Sequence, residues 1–368
     1  MVEWKKLGEI STVQRGKRLT KNLLSDNEVY PVYHGGIEPL GYFKDFNRLE
    51  NTVMVINVGA SAGSVGFSNQ KFWSSDGCFC ISHNIFINNK YLYFFLLGKE
   101  HYLRSQVRYA GIPTLDSTAI GKIPIPIPPL SEQNRIVGIL DTFTESIENL
   151  KKQISERKKQ YEHYRDQLLD LEGKPEKDVK QFGEICEMIK GNGVQKTDFV
   201  DEGIGCIHYG QIYTHYGSFT YTTNKFVSKE VFDKAKKASK GDIVMTDTSE
   251  NVEDICKSVA YLGEEDIAVS NHALIIKHRQ NPKFLSYTTY TKSFFNQKRK
   301  YAYGVKVTGI KPDHLARFLI YLPSIEEQNH IVTILDTFEA SIANLEQQLS
   351  LRQKQFEYYR NMLLTFDE

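Results

Sequence analysis

Apolar residues recur along two stretches of the chain, at spacings that alternate between three and four residues. Such a heptad pattern is typical of a long helix that packs along an apolar seam, as in a coiled coil. In the first stretch, predicted to be helical over 131–169, the seam positions are Ile136, Leu140, Phe143, Ile147, Leu150, Ile154, Tyr161, Tyr164 and Leu168. In the second stretch they are Ile331, Leu335, Phe338, Ile342, Leu345, Leu349, Phe356, Tyr359 and Leu363.

The two stretches are copies of each other. Residues 125–169 align without gaps on residues 320–364, and 26 of the 45 positions are identical. The one polar residue of the seam, Arg157, has Arg352 at the same place in the second copy. Each helix needs a partner for its seam, and the shared register makes the other copy the expected partner. Two unrelated surface helices are the alternative.

The segments that precede the helices are predicted to be strand-rich. Short apolar runs bounded by turn residues occur at 30–33, 52–56, 206–209 and 241–245. A fainter duplication links the two segments, because residues 7–10 match 182–185 and Gly16 matches Gly191 at the same offset. A charged run that contains both Gly and Pro, 170–178, follows the first helix. The predicted order is globular segment, helix, globular segment, helix.

The composition is that of a globular protein, with 40% hydrophobic and 12% aromatic residues. No run of 18 apolar residues occurs, so no transmembrane helix is expected. No apolar signal core follows the first residues. The five cysteines form no CxxC pair, which argues against a disulfide scaffold or a zinc knuckle. We therefore expect a cytoplasmic protein without a bound metal.

The net charge of +1 is unevenly distributed along the chain. Residues 1–123 and 179–318 each carry +4, whereas 124–178 and 319–368 carry −2 and −5. Two mildly basic segments therefore alternate with two acidic ones. Such mild basicity fits DNA binding only if another subunit supplies part of the phosphate contacts.

Two proline-containing runs lead into the predicted helices. Residues 124–133 read Pro-Ile-Pro-Ile-Pro-Pro-Leu-Ser-Glu-Gln, and residues 322–328 read Leu-Pro-Ser-Ile-Glu-Glu-Gln. Both resemble the entry to the conserved helices of type I restriction-modification specificity subunits, with Ser324 where a second proline usually stands. Residues 4–10 and 241–246 are similar to other parts of that family, so the resemblance covers the whole chain.

The resemblance implies an α+β fold with two target recognition domains. They would be separated by two long conserved helices that pack as an antiparallel coiled coil with internal pseudo-twofold symmetry. The recognition domains are then expected at 1–123 and 179–318, the helical regions at 124–170 and 319–368, and a linker at 171–178. Each domain would read one half of a split double-stranded DNA target. The helices would dock two methyltransferase subunits, and restriction (translocase) subunits would complete the complex.

The chain itself is expected to be non-catalytic and to need no cofactor. The resemblance assigns methylation and ATP-driven cleavage to partner chains. Consistently, the sequence has no phosphate-binding Gly-x-x-x-x-Gly-Lys-Ser/Thr loop, and its run Asn281-Pro282 continues into Lys283 rather than into a base-methylation motif. A single-chain DNA modification enzyme would need that motif. A coiled-coil scaffold without sequence specificity, the other alternative, leaves two globular repeats without a role.

Sequence readout needs side chains that reach base edges, on loops that phosphate contacts hold in place. In the first domain the candidates form a basic cluster, a loop of small residues and a basic helix, namely Arg15, Lys17, Arg18, Lys21, Ser61, Ser64, Arg104 and Arg108. Their counterparts in the second domain are Lys190, Gln195, Lys196, Thr248, Asn251, Lys298, Arg299, Lys300 and Lys306. The alternatives are a solvated turn, an ordinary strand connection and a solvated helix face.

Aromatic residues offer a second kind of DNA contact. Tyr209, Tyr213, Tyr216 and Tyr221 suggest base stacking, although such aromatic residues in a strand-rich domain belong more often to the core. His34 and His208 are expected to be structural rather than catalytic.

Overall fold

A computed structural model describes residues 2–304 and 307–366. The chain divides into two compact units, one formed by Met1–Lys152 with Glu346–Glu368 and the other by Gln153–Leu345. Each unit therefore contains one strand-rich segment and half of each long helix. The narrower domain boundaries expected from the sequence stay predictions.

Both predicted long helices are present. The first long helix is Leu130–Leu169 and the second long helix is Ile325–Leu363. Ser324 precedes the second, and its Oγ accepts a hydrogen bond of 3.3 Å from the backbone N–H of Glu327, which caps the start of this helix.

The helices pair through equivalent contacts in the two units. In unit 1, Phe143 stacks on Tyr359 with ring centroids 5.2 Å apart, and the Arg352 guanidinium lies 5.6 Å from the Phe143 ring. In unit 2, Phe338 stacks on Tyr164 at 5.4 Å, and Arg157 lies 5.9 Å from the Phe338 ring. In each unit the first half of one helix meets the second half of the other. The pairing is thus antiparallel, equivalent contacts occur in both units, and the seam arginines lie on aromatic faces.

Unit 1 contains two sheets and a short strand pair. The first sheet is antiparallel, with the order Val13–Arg15, Cys78–Ile81, Thr52–Ile56, Val65–Ser68. The second sheet has the order Gly41–Phe43, Tyr30–Tyr33, Trp73–Ser74, and the last two strands are parallel. Glu3–Lys6 pairs with Pro124–Ile127. The helices of unit 1 outside the long pair are Leu7–Ile10, Lys21–Leu23, Asn89–Leu97, Glu100–Ser105 and Ser117–Gly121.

Unit 2 repeats this plan with larger sheets. Its first sheet has the order Cys186–Lys190, Ala273–His278, Ile243–Thr246, Ser258–Tyr261, Phe219–Thr220. Its second sheet has the order Phe199–Val200, Lys225–Val227, Ile204–Ile207, Ile267–Val269, Lys236–Ala238. Two strand pairs join Val179–Gln181 to Leu319–Tyr321 and Thr248–Ser249 to Thr308–Gly309. The helices of unit 2 outside the long pair are Glu176–Asp178, Phe182–Ile185, Lys196–Asp198, Tyr209–Thr214, Lys229–Lys234, Pro282–Thr288, Lys292–Tyr301 and Pro312–Leu315.

One predicted strand is wrong at its end. The apolar run 206–209 was expected to be extended, but the strand is Ile204–Ile207 and a helix begins at Tyr209. The reason is a cap, because the His208 side chain accepts a hydrogen bond from the backbone of Gly210.

Each long helix is attached to its own strand-rich segment by the same contacts, which we call the helix clamp. In unit 1 the side-chain oxygen of buried Gln133 accepts from the backbone N–H of Asn88 at 2.7 Å, and Lys90 pairs with Asp141 at 2.7 Å. The equivalent residues of unit 2 are Gln328 with Asn281, at 3.1 Å, and Lys283 with Asp336, at 2.8 Å. Both asparagines also cap the next helix of the segment, Asn89–Leu97 or Pro282–Thr288.

Among the helices formed by residues 2–304 and 307–366, none is both long enough and apolar enough to cross a bilayer.

Candidate nucleic-acid interface

The predicted DNA-contacting stretches of unit 1 meet at one edge of its first sheet. Arg15 ends its strand opposite Phe79, and Ile56 ends its strand opposite Cys78. Because neighbouring strands are antiparallel, the loops after Arg15, after Ile56 and before Cys78 emerge together. We call this side of each first sheet the loop edge.

The basic cluster of unit 1 lies on the loop edge and is exposed. Arg15, Lys17 and Arg18 are exposed, and Lys21 begins the short helix that follows. The Arg15 Nε donates to the backbone oxygen of Asp76 at 3.3 Å, which fixes the start of the cluster beside the next loop.

A glycine holds each basic cluster close to the neighbouring loop. A Cβ at Gly16 would lie 2.0 Å from the backbone oxygen of Ser75, and a Cβ at Gly191 would lie 2.3 Å from that of Ser270. Any larger residue would push the strands apart at both places. The match between the two glycines in the sequence therefore has a physical cause.

The loop of small residues in unit 1 is only partly available. Ser61 is half-buried, but Ser64 is 6% exposed, and its hydroxyl accepts from the Arg104 guanidinium at 2.8 Å. The burial of Ser64 removes it from the candidate surface. Arg104, whose side chain is 47% exposed, is held by Ser64 and lies 4.0 Å from Glu100.

Arg108 lies outside the predicted helix, which ends at Ser105. It is exposed and forms one side of a hairpin whose other side is Thr114, and Thr114 also bridges to Val58. This hairpin therefore adjoins the loop edge.

Unit 2 has the same loop edge. Lys190 ends its strand opposite Leu274, and Thr246 ends its strand opposite Ala273. Lys190 remains 64% exposed and pairs at 3.0 Å with Asp247, which is 5% exposed. Gln195 and Lys196 are exposed at the start of the following short helix.

A cleft of about 610 Å³ opens at the loop edge of unit 2. It is lined by hydroxyl, aromatic, acidic and basic side chains, among them Lys196, Tyr209, Tyr213, Thr248, Asp254 and His272. Thr248 is half-buried and bonded to its neighbours, whereas Asn251 is exposed and ties the loop by a 2.8 Å bond from its amide to Asp254. Two predicted residues, Lys196 and Thr248, thus share one cleft.

The basic helix of unit 2 divides into buried and exposed residues. Lys298 is 5% exposed, and its amine donates to the backbone oxygens of Glu253 and Ile255 at 2.8 and 2.9 Å. Burial lowers the pKa of this amine, and its contacts make it a structural residue rather than a DNA contact. Arg299 and Lys300 are exposed, and Lys306 lies outside the described residues.

The four candidate tyrosines differ in location and exposure. Tyr209 and Tyr213 line the cleft, Tyr216 is bonded inside the unit to Asn224, and Tyr221 is 60% exposed. His208 is 5% exposed, and burial lowers the pKa of its ring, so the neutral ring serves as the helix cap.

The sequence interpretation missed His272 and the helix clamps. His272 lies in the cleft in a left-handed conformation, with φ +65°, which no sequence pattern signalled. The clamp asparagines, Asn88 and Asn281, had a signal in the chain, since each stands two residues before a lysine at the start of an apolar run.

The residues that the structure describes, 2–304 and 307–366, include no group of three or more His, Cys, Asp or Glu side chains placed to hold a metal ion.

Comparison with known proteins assigns a family. The sequence matches the family described as the type I restriction modification DNA specificity domain over residues 1–157 and 175–352. A putative type I restriction enzyme specificity subunit of Haemophilus influenzae is 27% identical over 388 residues, covering 99% of this chain and 96% of the relative. The specificity subunit of the type I restriction enzyme EcoR124I/EcoR124II of Escherichia coli is 30% identical over 267 residues, covering 67% and 63%.

Solved structures share the fold. An S subunit of a type I restriction-modification system from M. genitalium aligns over 100% of this chain and 97% of its own, with a TM-score of 0.64 and 17% identity. A chain from a structure concerned with complex assembly of a type I R-M system aligns over 100% and 98%, with a TM-score of 0.60. The duplicated α+β architecture predicted from the sequence is confirmed. Since the family match spans most of both units, the chain belongs to the type I restriction-modification DNA specificity family.

Proposed function

We propose that this chain selects a bipartite double-stranded DNA target, with the loop edge of each unit contacting one half-site. The observation that carries the proposal is the equivalence of the two loop edges. Each follows the same strand order and is fixed by an equivalent glycine, and each presents exposed basic residues after its first strand. Phosphate contacts from such residues would position loops that read base edges.

The proposed contacts differ in kind. Positioning on phosphates is assigned to the exposed cations Arg15, Lys17, Arg18, Lys21, Arg108, Lys190, Lys196, Arg299 and Lys300. Readout is assigned to the loop residues Ser61, Gln195, Thr248 and Asn251, and Arg104 supports the loop that carries Ser61. Lys306 remains a candidate from its sequence alone.

In this proposal the chain carries no catalytic site. The relatives it matches are named specificity subunits, and one solved relative comes from work on complex assembly of a type I system. Methylation and cleavage would belong to partner chains, two methyltransferase subunits and the restriction subunits, docked through the long helices. Because its substrate is genomic DNA, the complex would act in the cytoplasm.

The test replaces one of the two predicted recognition domains. Residues 1–123 are replaced by the corresponding segment of a related specificity subunit, the chain is expressed with its methyltransferase subunit, and modified bases are mapped across the genome by long-read sequencing. We expect one half of the methylated motif to change and the other half to stay the same, because each unit has its own core and its own loop edge.

Two controls separate the alternatives. Exchanging 179–318 instead should alter only the opposite half, and omitting the methyltransferase subunit should abolish the signal. A change in both halves after either exchange would refute independent reading. Methylation without the partner would instead favour a single-chain modification enzyme, and equal affinity for all DNA would favour a scaffold.

A further inference from the structure

The backbone of His272 has a conformation that residues with a Cβ rarely adopt. Its φ is +65°, at the turn between the strands Ile267–Val269 and Ala273–His278. Left-handed backbone is disfavoured for residues with a Cβ and tends to persist where surrounding contacts enforce it, often at functional sites.

Contacts from the neighbouring loop fix both the backbone and the ring of His272. The backbone N–H of Asp247 donates to the His272 carbonyl at 3.2 Å. The hydroxyl of Thr248 lies 3.1 Å from the ring Nδ1, and the Tyr209 ring meets the imidazole edge to face, with centroids 5.3 Å apart. The side chain is nevertheless exposed and lines the cleft of the loop edge.

The hydrogen bonds around the ring fix the position of the imidazole proton. The Thr248 hydroxyl has a single proton, which it donates to the Asp247 carboxylate at 2.8 Å. That carboxylate is buried and paired with Lys190. Thr248 Oγ1 must therefore accept from the imidazole, so the proton of the neutral ring lies on Nδ1, and Nε2 keeps a lone pair. Among the described residues, Nε2 has no hydrogen-bond partner.

We propose that His272 is a specificity-determining residue that accepts, through Nε2, a hydrogen bond from the exocyclic amino group of adenine or cytosine in the half-site read by unit 2. In the major groove only these two bases present an amino donor, whereas guanine and thymine present carbonyl oxygens there. Lys196, at the same cleft, supplies the phosphate contact that holds the loop against the groove. This inference rests on the proposed function.

The test compares four chains, each expressed with the methyltransferase subunit and assayed by genome-wide mapping of modified bases. His272→Gly removes the imidazole and suits the left-handed backbone. Thr248→Val keeps the shape of its side chain but frees the ring to place its proton on either nitrogen. His215→Ala removes an exposed histidine of the same unit that does not line the cleft. The unaltered chain is the reference.

For His272→Gly we expect one position of one half-site to become degenerate, with discrimination there reduced about tenfold and the other half-site unchanged. For Thr248→Val the same position should also admit guanine or thymine, because Nε2 can then donate. His215→Ala should leave the motif intact. A purely structural role for Thr248 would lower methylation without changing base preference.

An unchanged motif in His272→Gly would overturn the inference, as would an equal loss of methylation at all sites, which would make His272 a phosphate-binding or folding residue. Failure of the proposed function looks different. In that case the unaltered chain would direct no defined motif, or exchange of residues 1–123 would alter both half-sites.

Discussion

Asp141 shows how the two copies differ at the scale of single residues. In unit 2 the equivalent Asp336 accepts a 2.6 Å hydrogen bond from the hydroxyl of Tyr287 on one oxygen and pairs with Lys283 on the other. In unit 1 the residue at the tyrosine's place is Phe94, which is 1% exposed. The Asp141 Oδ1 is buried and has no hydrogen-bond partner among the described residues. Asp141 therefore lacks the second side-chain donor that Tyr287 provides to Asp336.

Phe94→Tyr should stabilise unit 1, because the added hydroxyl would donate to Asp141 as Tyr287 does to Asp336. We expect a gain of about 1 kcal/mol in the free energy of unfolding. Both tryptophans, Trp4 and Trp73, belong to unit 1, so their fluorescence during urea unfolding reports on this unit. In an Asp141→Ala background the hydroxyl has no acceptor and the gain should vanish; an equal gain there would show that it arises elsewhere.

At this scale the sequence predicted the exposure of some candidate residues but not of others. The basic cluster from Arg15 to Arg18 is exposed, as its charge suggests, because cations at a loop keep their hydration. Lys298 lies in an equally basic run but is buried, since two backbone oxygens replace water at its amine. His272 could not be proposed from the sequence, because the argument for it depends on a backbone angle and on a hydroxyl 24 residues away along the chain.

At the scale of elements, the helix clamps fix where each long helix begins. Gln133 is fully buried, accepts from Asn88, and donates to the backbone oxygens of Phe86 and Pro128 at 3.0 and 2.9 Å. It therefore satisfies three backbone groups at the point where the chain leaves the strand-rich segment.

Gln133→Met retains much of the volume of the side chain but removes all three hydrogen bonds. We expect it to destabilise unit 1 by about 2 kcal/mol, since buried backbone groups would lose their partners. The measurement is again urea unfolding followed by tryptophan fluorescence. Gln347→Met, at an exposed position of the second long helix within the same unit, is the matched control and should change stability by less than about 0.5 kcal/mol. Similar losses in both variants would contradict a specific role for the clamp.

The sequence predicted the start of the first long helix to within one residue. The heptad seam and the gapless repeat constrain the same segments. It did not reveal the clamps. The two helix copies are 195 residues apart in the sequence, whereas Asn88 and Asn281 are 193 residues apart. A gapless alignment at the helix offset therefore does not match the two asparagines. Insertions in the intervening loops shift the offset but leave the contact geometry intact.

For the whole molecule, charge is distributed differently at the two loop edges. In unit 1 the loop edge carries the cations Arg15, Lys17 and Arg18. In unit 2 the cleft at the loop edge is lined by Lys196 and also by the acidic residues Glu250 and Asp254. Since phosphate contact by cations provides most sequence-independent affinity, we expect unit 1 to supply the larger share of the salt-dependent binding.

Replacing Arg15, Lys17 and Arg18 together by alanine should weaken binding of the complex to target and non-target duplexes alike. The slope of log K against log salt should fall by about 2 to 3, because each cation that neutralises a phosphate adds close to one to that slope. Fluorescence anisotropy across a salt series gives the slope. Lys6→Ala with Lys122→Ala removes two exposed cations away from the loop edge and should leave the slope nearly unchanged. An equal effect of the two sets would mean that net charge, not location, governs binding.

The position of the helix clamps has a consequence for how such a protein can evolve. In each first sheet the loop edge is one side, and the chain reaches the clamp only after leaving the opposite side, at Ile81 or His278. Substitutions that alter the loops therefore need not disturb the buried glutamine that attaches each helix. Under the proposed function, a lineage would acquire new DNA targets by substitution or exchange of loop residues, while selection for stability acts on a separate set of positions.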